Sequence, residues 1–187
     1  MKTINIAIIA AAIISFLVIG CEKENETEEI KKTNHLKIGD TEYNLTTGTL
    51  ENYGQDEAGI YDVHNTDLTL FSDGITITDE DEELVISGSG QIIYFEMFSS
   101  TGTSLDIGTY NFNIQPFSLK TFDYADYIID WNDTVDDDDW TEIASGEVTV
   151  TKNSNEYEIT INCIDKNGLK ITGFFKGTLL YFDYIEE

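Results

Sequence analysis

The chain has 187 residues, of which 36 are acidic and 10 are lysine, with no arginine, so its formal net charge is -26. That balance excludes nucleic acid as a partner, because a polyanion is repelled and the guanidinium forks that read phosphate and guanine are missing. Anionic lipid headgroups are disfavoured for the same reason, so membrane attachment has to come from something other than the protein body.

Lys2 supplies a small positive start, and residues 6–19 are apolar or small apart from Ser15. The run is shorter than the roughly 20 apolar residues a spanning helix needs, so it reads as the removable core of an export signal. It closes on Val18-Ile19-Gly20-Cys21. This ending resembles the bacterial lipobox, and the resemblance implies a signal peptide over residues 1–20 with Cys21 lipidated as the mature N-terminus. Glu22-Lys23-Glu24-Asn25-Glu26 looks like the charged tag by which outer-membrane lipoproteins of the Bacteroidota reach the outer face of the cell. The expectation is an outer-membrane protein exposed at the cell surface, held by acyl chains at about 0.8 kcal/mol per buried methylene.

Residues 21–34 comprise this cysteine and a charged, aromatic-free stretch that suits a flexible tether. Residues 35–187 then form one domain, since a chain of this length supports a single sizeable core. No helical period appears there. Short alternating runs rich in Ile, Val, Thr, Tyr and Phe predict an all-β fold. The architecture expected is an antiparallel β-sandwich, jelly-roll-like, of about 8–10 strands, with a lipocalin-like meander β-barrel as the alternative.

Leu36-Lys37-Ile38, Gly39-Asp40 and Thr41-Glu42-Tyr43 fit a two-residue hairpin that sets Ile38 opposite Thr41, Lys37 opposite Glu42 and Leu36 opposite Tyr43. Residues 47–53 continue the sheet, residues 55–67 read as a polar loop, and Asp73-Gly74 reads as a second hairpin signal between residues 68–71 and 75–78. The acid run Asp79-Glu80-Asp81-Glu82-Glu83 reads as a solvated turn. Residues 91–98 are apolar at nearly every position, as in a central strand covered on both faces or in one lining a cavity. Glu96 interrupts them. It is expected to point to solvent beside Tyr94, the alternative being a carboxylate in an apolar slot with a raised pKa.

Residues 105–114 alternate as another strand, and residues 117–142 differ from everything around them. Eight aspartates lie there among Tyr124, Tyr127, Trp131 and Trp140, and both tryptophans of the chain are included. The segment is long for a connection, and such loops are either functional or disordered; an extended, solvated acidic loop is the plain expectation, and this is also the one place to look for chemistry. Exposed rings beside carboxylates suit a sugar, whose apolar faces stack on rings while Asp accepts its hydroxyl protons, so Trp131, Trp140, Tyr124 and Tyr127 are candidate ligand-binding residues. Plain core packing of Trp131 and Trp140 is the competing reading. With no arginine to neutralise them, Asp133, Asp136, Asp137, Asp138 and Asp139 are candidate ligands for a calcium ion of the weak extracellular kind, bound at about 10⁻⁴ to 10⁻³ M.

The last third contains the clearest strands, residues 146–150, 157–163 and 171–181, the latter two joined by Asp165-Lys166-Asn167-Gly168. A turn with Gly168 left-handed predicts Cys163 opposite Ile171, Ile161 opposite Gly173, Ile159 opposite Phe175 and Tyr157 opposite Gly177. The apolar faces of the preceding hairpin agree only if Val150 meets Ile159 and Val148 meets Ile161, which calls for an even-length loop around Ser154-Asn155. Gly108-Thr109-Tyr110, Ser145-Gly146, Val148-Thr149-Val150, Ile171-Thr172-Gly173 and Gly177-Thr178-Leu179 resemble uncharacterised β-rich Bacteroidota lipoproteins, a likeness that implies class and location and no activity.

Cys163 is the only cysteine left beyond Cys21, so the mature chain has no intrachain disulfide, and its alternation with Tyr157, Ile159 and Ile161 predicts a buried structural thiol. His35 and His64 are the only histidines, which leaves little for a histidine metal site or a Ser-His-Asp arrangement. The function expected is a monomeric, non-catalytic binding module that recognises an extracellular glycan or protein. The alternatives are a β-barrel carrier of an apolar ligand, lined by aromatics of residues 91–98 and 174–184, and a glycosidase with paired acids.

Overall fold

Branched and aromatic residues fit a pleated, half-buried surface, and from His35 onward nearly every such run forms a strand. A computed structural model describes residues 32–55, 62–80, 83–115, 117–134, 139–153 and 156–185. The expected signal peptide, Cys21 and the expected tether as far as Lys31 lie outside the described residues. So do Asp136, Asp137 and Asp138.

The described strands are β1 (His35–Ile38), β2 (Thr41–Tyr43), β3 (Leu45–Gln55), β4 (His64–Ser72), β5 (Ile75–Glu80), β6 (Glu83–Ser99), β7 (Gly108–Phe112), β8 (Thr121–Asn132), β9 (Thr141–Asn153), β10 (Tyr157–Asp165), β11 (Lys170–Gly177) and β12 (Leu180–Asp183). The fold is all-β, with twelve strands where fewer were expected. They form a mixed sheet in the order β12-β3-β4-β6-β8-β7-β9-β10-β11-β1-β2, with β5 paired to β6. Most pairings are antiparallel, as expected, but β12 with β3 and β7 with β8 are parallel.

The sheet is curled, and chain connectivity shows why. Asn44 alone links β2 to β3, and residues 178–179 alone link β11 to β12, although sheet order puts each pair far apart. A link of two residues reaches at most about 11 Å, so the ends of the sheet bend toward each other into a half-barrel. Its concave face holds one core: Leu36 of β1, Leu50 of β3, Phe95 of β6, Phe122 of β8, Val148 of β9, Ile161 of β10 and Phe175 of β11 belong to a single buried cluster. Phe95 and Phe122 meet edge to face with centroids 5.4 Å apart. Cys163 is buried in the same cluster, its Sγ 3.8 Å from the Glu147 carbonyl, and burial pushes its thiol up to about 12.

The registers expected for β1–β2 and β10–β11 are those observed, with Lys37 opposite Glu42 and Cys163 opposite Ile171. Gly168 takes φ 81 and its N–H donates to Asp165 O, as the left-handed turn position requires. Val150 meets Ile159 and Val148 meets Ile161, as face matching demands. The loop does not have even length, however. Tyr157 opposes Asn153 across three residues, and a register shift between Glu158 and Ile159 leaves Thr151 as the extra residue. Burial of the valines sets the register, and a bulge absorbs the mismatch.

Four other expectations change. Asp73-Gly74 is not a hairpin: β4 and β5 both pair with β6, and the register that joins Phe71 to Ile92 also joins Ile75 to Gly88. The chain continues along β6 through a kink at which Gly74 (φ 90) and Gly88 (φ 98) face each other so closely that a Cβ on Gly88 would sit 2.2 Å from the Gly74 carbonyl oxygen. Of the acid run, Glu80 stands opposite Glu83, and Asp81-Glu82, where the turn was expected, lie outside the described residues. His64 to Asp67, expected in a loop, begin β4, and much of residues 117–142 is β8 because Phe122, Ala125, Tyr127 and Ile128 all bury their side chains. The strand expected over residues 171–181 divides in two, its second part crossing to pair with β3.

Removing a ring from the core leaves a cavity at the centre of the curl. Phe95→Ala is expected to lower stability by about 3–5 kcal/mol, whereas Ile107→Ala, 55% exposed, costs about 0.5 kcal/mol or less. Urea unfolding midpoints of the two variants measure the contrast.

Candidate functional site

Strand alternation sends half of each central strand to the convex face, where polar residues gather. Across β3, β4, β6 and β8 one row of directly opposed residues reads Glu51, Asp67, Glu96 and Tyr124. The next row reads Thr49, Thr69, Tyr94 and Asp126. Three carboxylates thus stand side by side on neighbouring strands about 4.8 Å apart. None of β3, β4, β6 and β8 contains a lysine or arginine to offset them. Like charges directly opposed across strands are destabilising, so this row works against the fold.

Burial sharpens the conflict. Asp67 is 5% exposed and Glu51 8%, while Glu96 is half-buried. Tyr94 donates its hydroxyl to Asp67 Oδ2 at 2.5 Å, Thr49 donates to Glu51 Oε1 at 2.8 Å, Tyr53 donates to Glu51 Oε2 at 3.3 Å and Asn65 Nδ2 donates to Glu96 Oε1 at 3.0 Å. Donors then run out. Asp67 Oδ1, Asn65 Oδ1, Asp123 Oδ1 and His64 Nδ1 are buried with no hydrogen-bond partner. A buried polar atom left unpaired costs roughly 1–3 kcal/mol.

Aromatic rings rim the row. Tyr94 and Tyr124 lie 6.1 Å apart at 59°, and Tyr53 stacks on Tyr184 at 5.2 Å. Tyr53 and Tyr124 remain 47% and 42% exposed, so part of each side chain stays open to solvent. The Leu84 N–H donates to the Tyr184 hydroxyl at 3.4 Å, which brings the end of the chain to the β5–β6 hairpin. Beside this contact Asp79, Tyr181, Phe182 and Asp183 line a cavity of about 260 Å³.

The candidates of residues 117–142 separate onto different surroundings. Tyr124 sits on the convex face and donates to Asp126 Oδ2 at 2.8 Å. Tyr127, three positions on, is buried in the concave core and donates to Asp165 Oδ2 at 2.9 Å. Trp131 and Trp140 are half-buried and pack on Phe71, Ile75, Ile92 and Ile128 at the end of the convex face away from Tyr53, which is the core-anchor alternative. Asp133 Oδ2 accepts the Gly88 N–H at 2.8 Å, tying the end of β8 to the kink, and Asp139 is exposed. Among the described residues no group of three or more His, Cys, Asp or Glu is placed to hold a metal ion.

Glu51 and Asp67 were hidden from sequence reasoning, and Glu96 was visible only as an interruption. Asp67 fell in the expected polar loop, although Asn65, Asp67 and Thr69 already alternate with Thr66, Leu68 and Leu70. The observed Glu96 is closer to the slot alternative than to the solvent-facing one, because burial, followed by the charge of Asp123, raises its carboxyl.

Asp67 is the most perturbed of the row. Burial pushes it up to about 8 against the Tyr94 hydrogen bond, and the charges of Glu96, Glu51 and Asp123 add to the rise. Burial also raises Glu51, Asp123 and Asp126. Asp165 moves the other way: burial alone would raise it, but bonds from the Leu169 N–H, the Tyr127 hydroxyl and Asn167 outweigh that and lower it. A carboxyl raised on folding binds its proton more tightly in the native state, so stability is greatest below the unfolded value and is lost as pH climbs through the folded one. The protein is expected to lose stability between about pH 4 and pH 8, seen as a fall in Tm across that window. Asp67→Asn, which keeps the shape of the protonated acid, should flatten much of that slope, and melting followed by circular dichroism across the range is the check.

Comparison with known protein families, with curated proteins and with solved structures finds no match to this chain.

Proposed function

We propose that this chain is a non-catalytic binding module, anchored to the outer membrane by lipid on Cys21 and displayed at the cell surface, that holds an extracellular ligand on the convex face of β3, β4, β6 and β8. The observation that carries the reading is the exposure of the Tyr53 and Tyr124 rings beside a row of buried carboxylates. Rings left open to water offer flat apolar area at low entropic cost, and acceptors with unmet capacity orient whatever donates to them. The lipobox-like Val18-Ile19-Gly20-Cys21 and the charged residues behind it support the location. A net charge of -26 favours a monomeric body that stands off an anionic membrane. We also read the fold as nearer to the meander-barrel alternative than to a jelly-roll sandwich, because one core is shared by strands from β1 to β11 around a single curl.

In the cells that make it, Cys21→Ala is expected to shift the protein from the membrane to the soluble fraction and to abolish labelling by a lipid-directed probe. External protease should degrade the unaltered protein on intact cells. Unchanged fractionation of the Cys21→Ala variant, or full protection from protease, overturns the anchored surface reading.

A further inference from the structure

The convex row is built of acceptors, and this restricts what completes it. Asp67 is 95% buried by its 5% exposure, and its Oδ1 has no partner although it stands between Glu51 and Glu96 in the row. Asn65 Oδ1 and Asp123 Oδ1, both close to Glu96, are unpartnered as well. For the amide and for each acid in its ionised form the missing partner is a donor, and a cation bound there also draws Asp67 into that form. A neutral sugar brings acceptor oxygens along with every donor, whereas an ammonium group brings donors only. An inorganic divalent ion is a poorer match, because the described His, Cys, Asp and Glu do not converge in threes on one point.

Resting on the binding-module reading above, we propose that the convex face binds a linear aliphatic polyamine, its ammonium groups lying along Glu51, Asp67 and Glu96 and its methylenes against the rings of Tyr53, Tyr94 and Tyr124. The row of carboxylates crosses three adjacent strands at regular spacing, so a cation with several charges along one chain satisfies them together, which a single lysine side chain does not. A narrow unbranched chain also suits acids that lie under rings. Tyr94 and Tyr124 flank the half-buried Glu96, where the first ammonium enters and gains a cation–π contact with either ring.

The test is calorimetry and tyrosine-ring NMR on the mature chain in detergent, with spermidine as the probe. The expected result is saturable heat and selective shifts of Tyr94 and Tyr124, with Glu96→Gln weakening binding at least tenfold and Glu147→Gln, which removes an exposed acid of β9, by less than twofold. Asp67→Asn is a second variant, expected to weaken binding while keeping a cooperative melt. Equal losses from Glu96→Gln and Glu147→Gln would mean that spermidine sees only the net charge, and the proposal would fall. Equal affinity for a trilysine peptide would overturn the choice of a free polyamine. Shifts of the same tyrosines by a neutral oligosaccharide, with none from spermidine, would overturn the cation while leaving the binding face in place. Silence of these tyrosines toward both probes would overturn the cation and the face together.

Discussion

The hydrogen bonding of β6 governs this structure. Its 17 residues pair with β8 on one side and with β4 and then β5 on the other, so the register along β6 decides which side chains of four strands reach the concave core. Ile93, Phe95 and Met97 point inward and are fully buried. Because side chains alternate with a period of two, Tyr94 and Glu96 are forced outward, and their neighbours Asp67, Asp126 and Tyr124 with them. Slipping β6 by one residue would drive Tyr94 and Glu96 into the core and turn Phe95 out to water.

Deep burial on one face therefore imposes the chemistry of the other. The convex face divides into regions. Phe71, Ile75, Ile92 and Ile128 with Trp131 and Trp140 form an apolar end, and Phe98 tilts against Phe117 at 5.1 Å elsewhere on the sheet. The carboxylate row lies among these apolar groups and inherits their dryness, which is why burial heads the causes that raise Glu51, Asp67, Glu96 and Asp126. Carboxylates perturbed in this way are found at binding and catalytic sites and also in structural networks, and it is the unpaired acceptors that make this face the candidate site.

The C-terminal strands show the opposite balance. Lys152 pairs with Glu158 at 3.3 Å and Lys176 with Glu156 at 3.5 Å, both on the solvated side of β9 to β11. Such exposed pairs contribute little each, but they place the few lysines of an acidic chain where they blunt repulsion on the surface. The lysines are thereby withheld from β3, β4, β6 and β8, and the negative potential of the convex face is left uncompensated.

Local pattern alone determined the all-β class, the β1–β2 hairpin, the β9 to β11 registers and the buried state of Cys163. Each rests on alternation, turn residues or face matching between segments adjacent in sequence, which two or three short-range rules settle together. Tertiary structure decided the rest. Asp73-Gly74 has the composition of a hairpin, but β6 offers both flanking strands a continuous partner, so the chain kinks and goes on. Residues 117–142 look like an acidic loop, but β6 and β9 offer Thr121–Asn132 hydrogen-bonding partners and the core buries one face of that strand. The carboxylate row joins residues 51, 67 and 96, which are remote in sequence and become neighbours only when three strands align. A single chain read in order shows that Glu51, Asp67 and Glu96 are acids on strand-like runs, and long-range pairing alone puts them side by side.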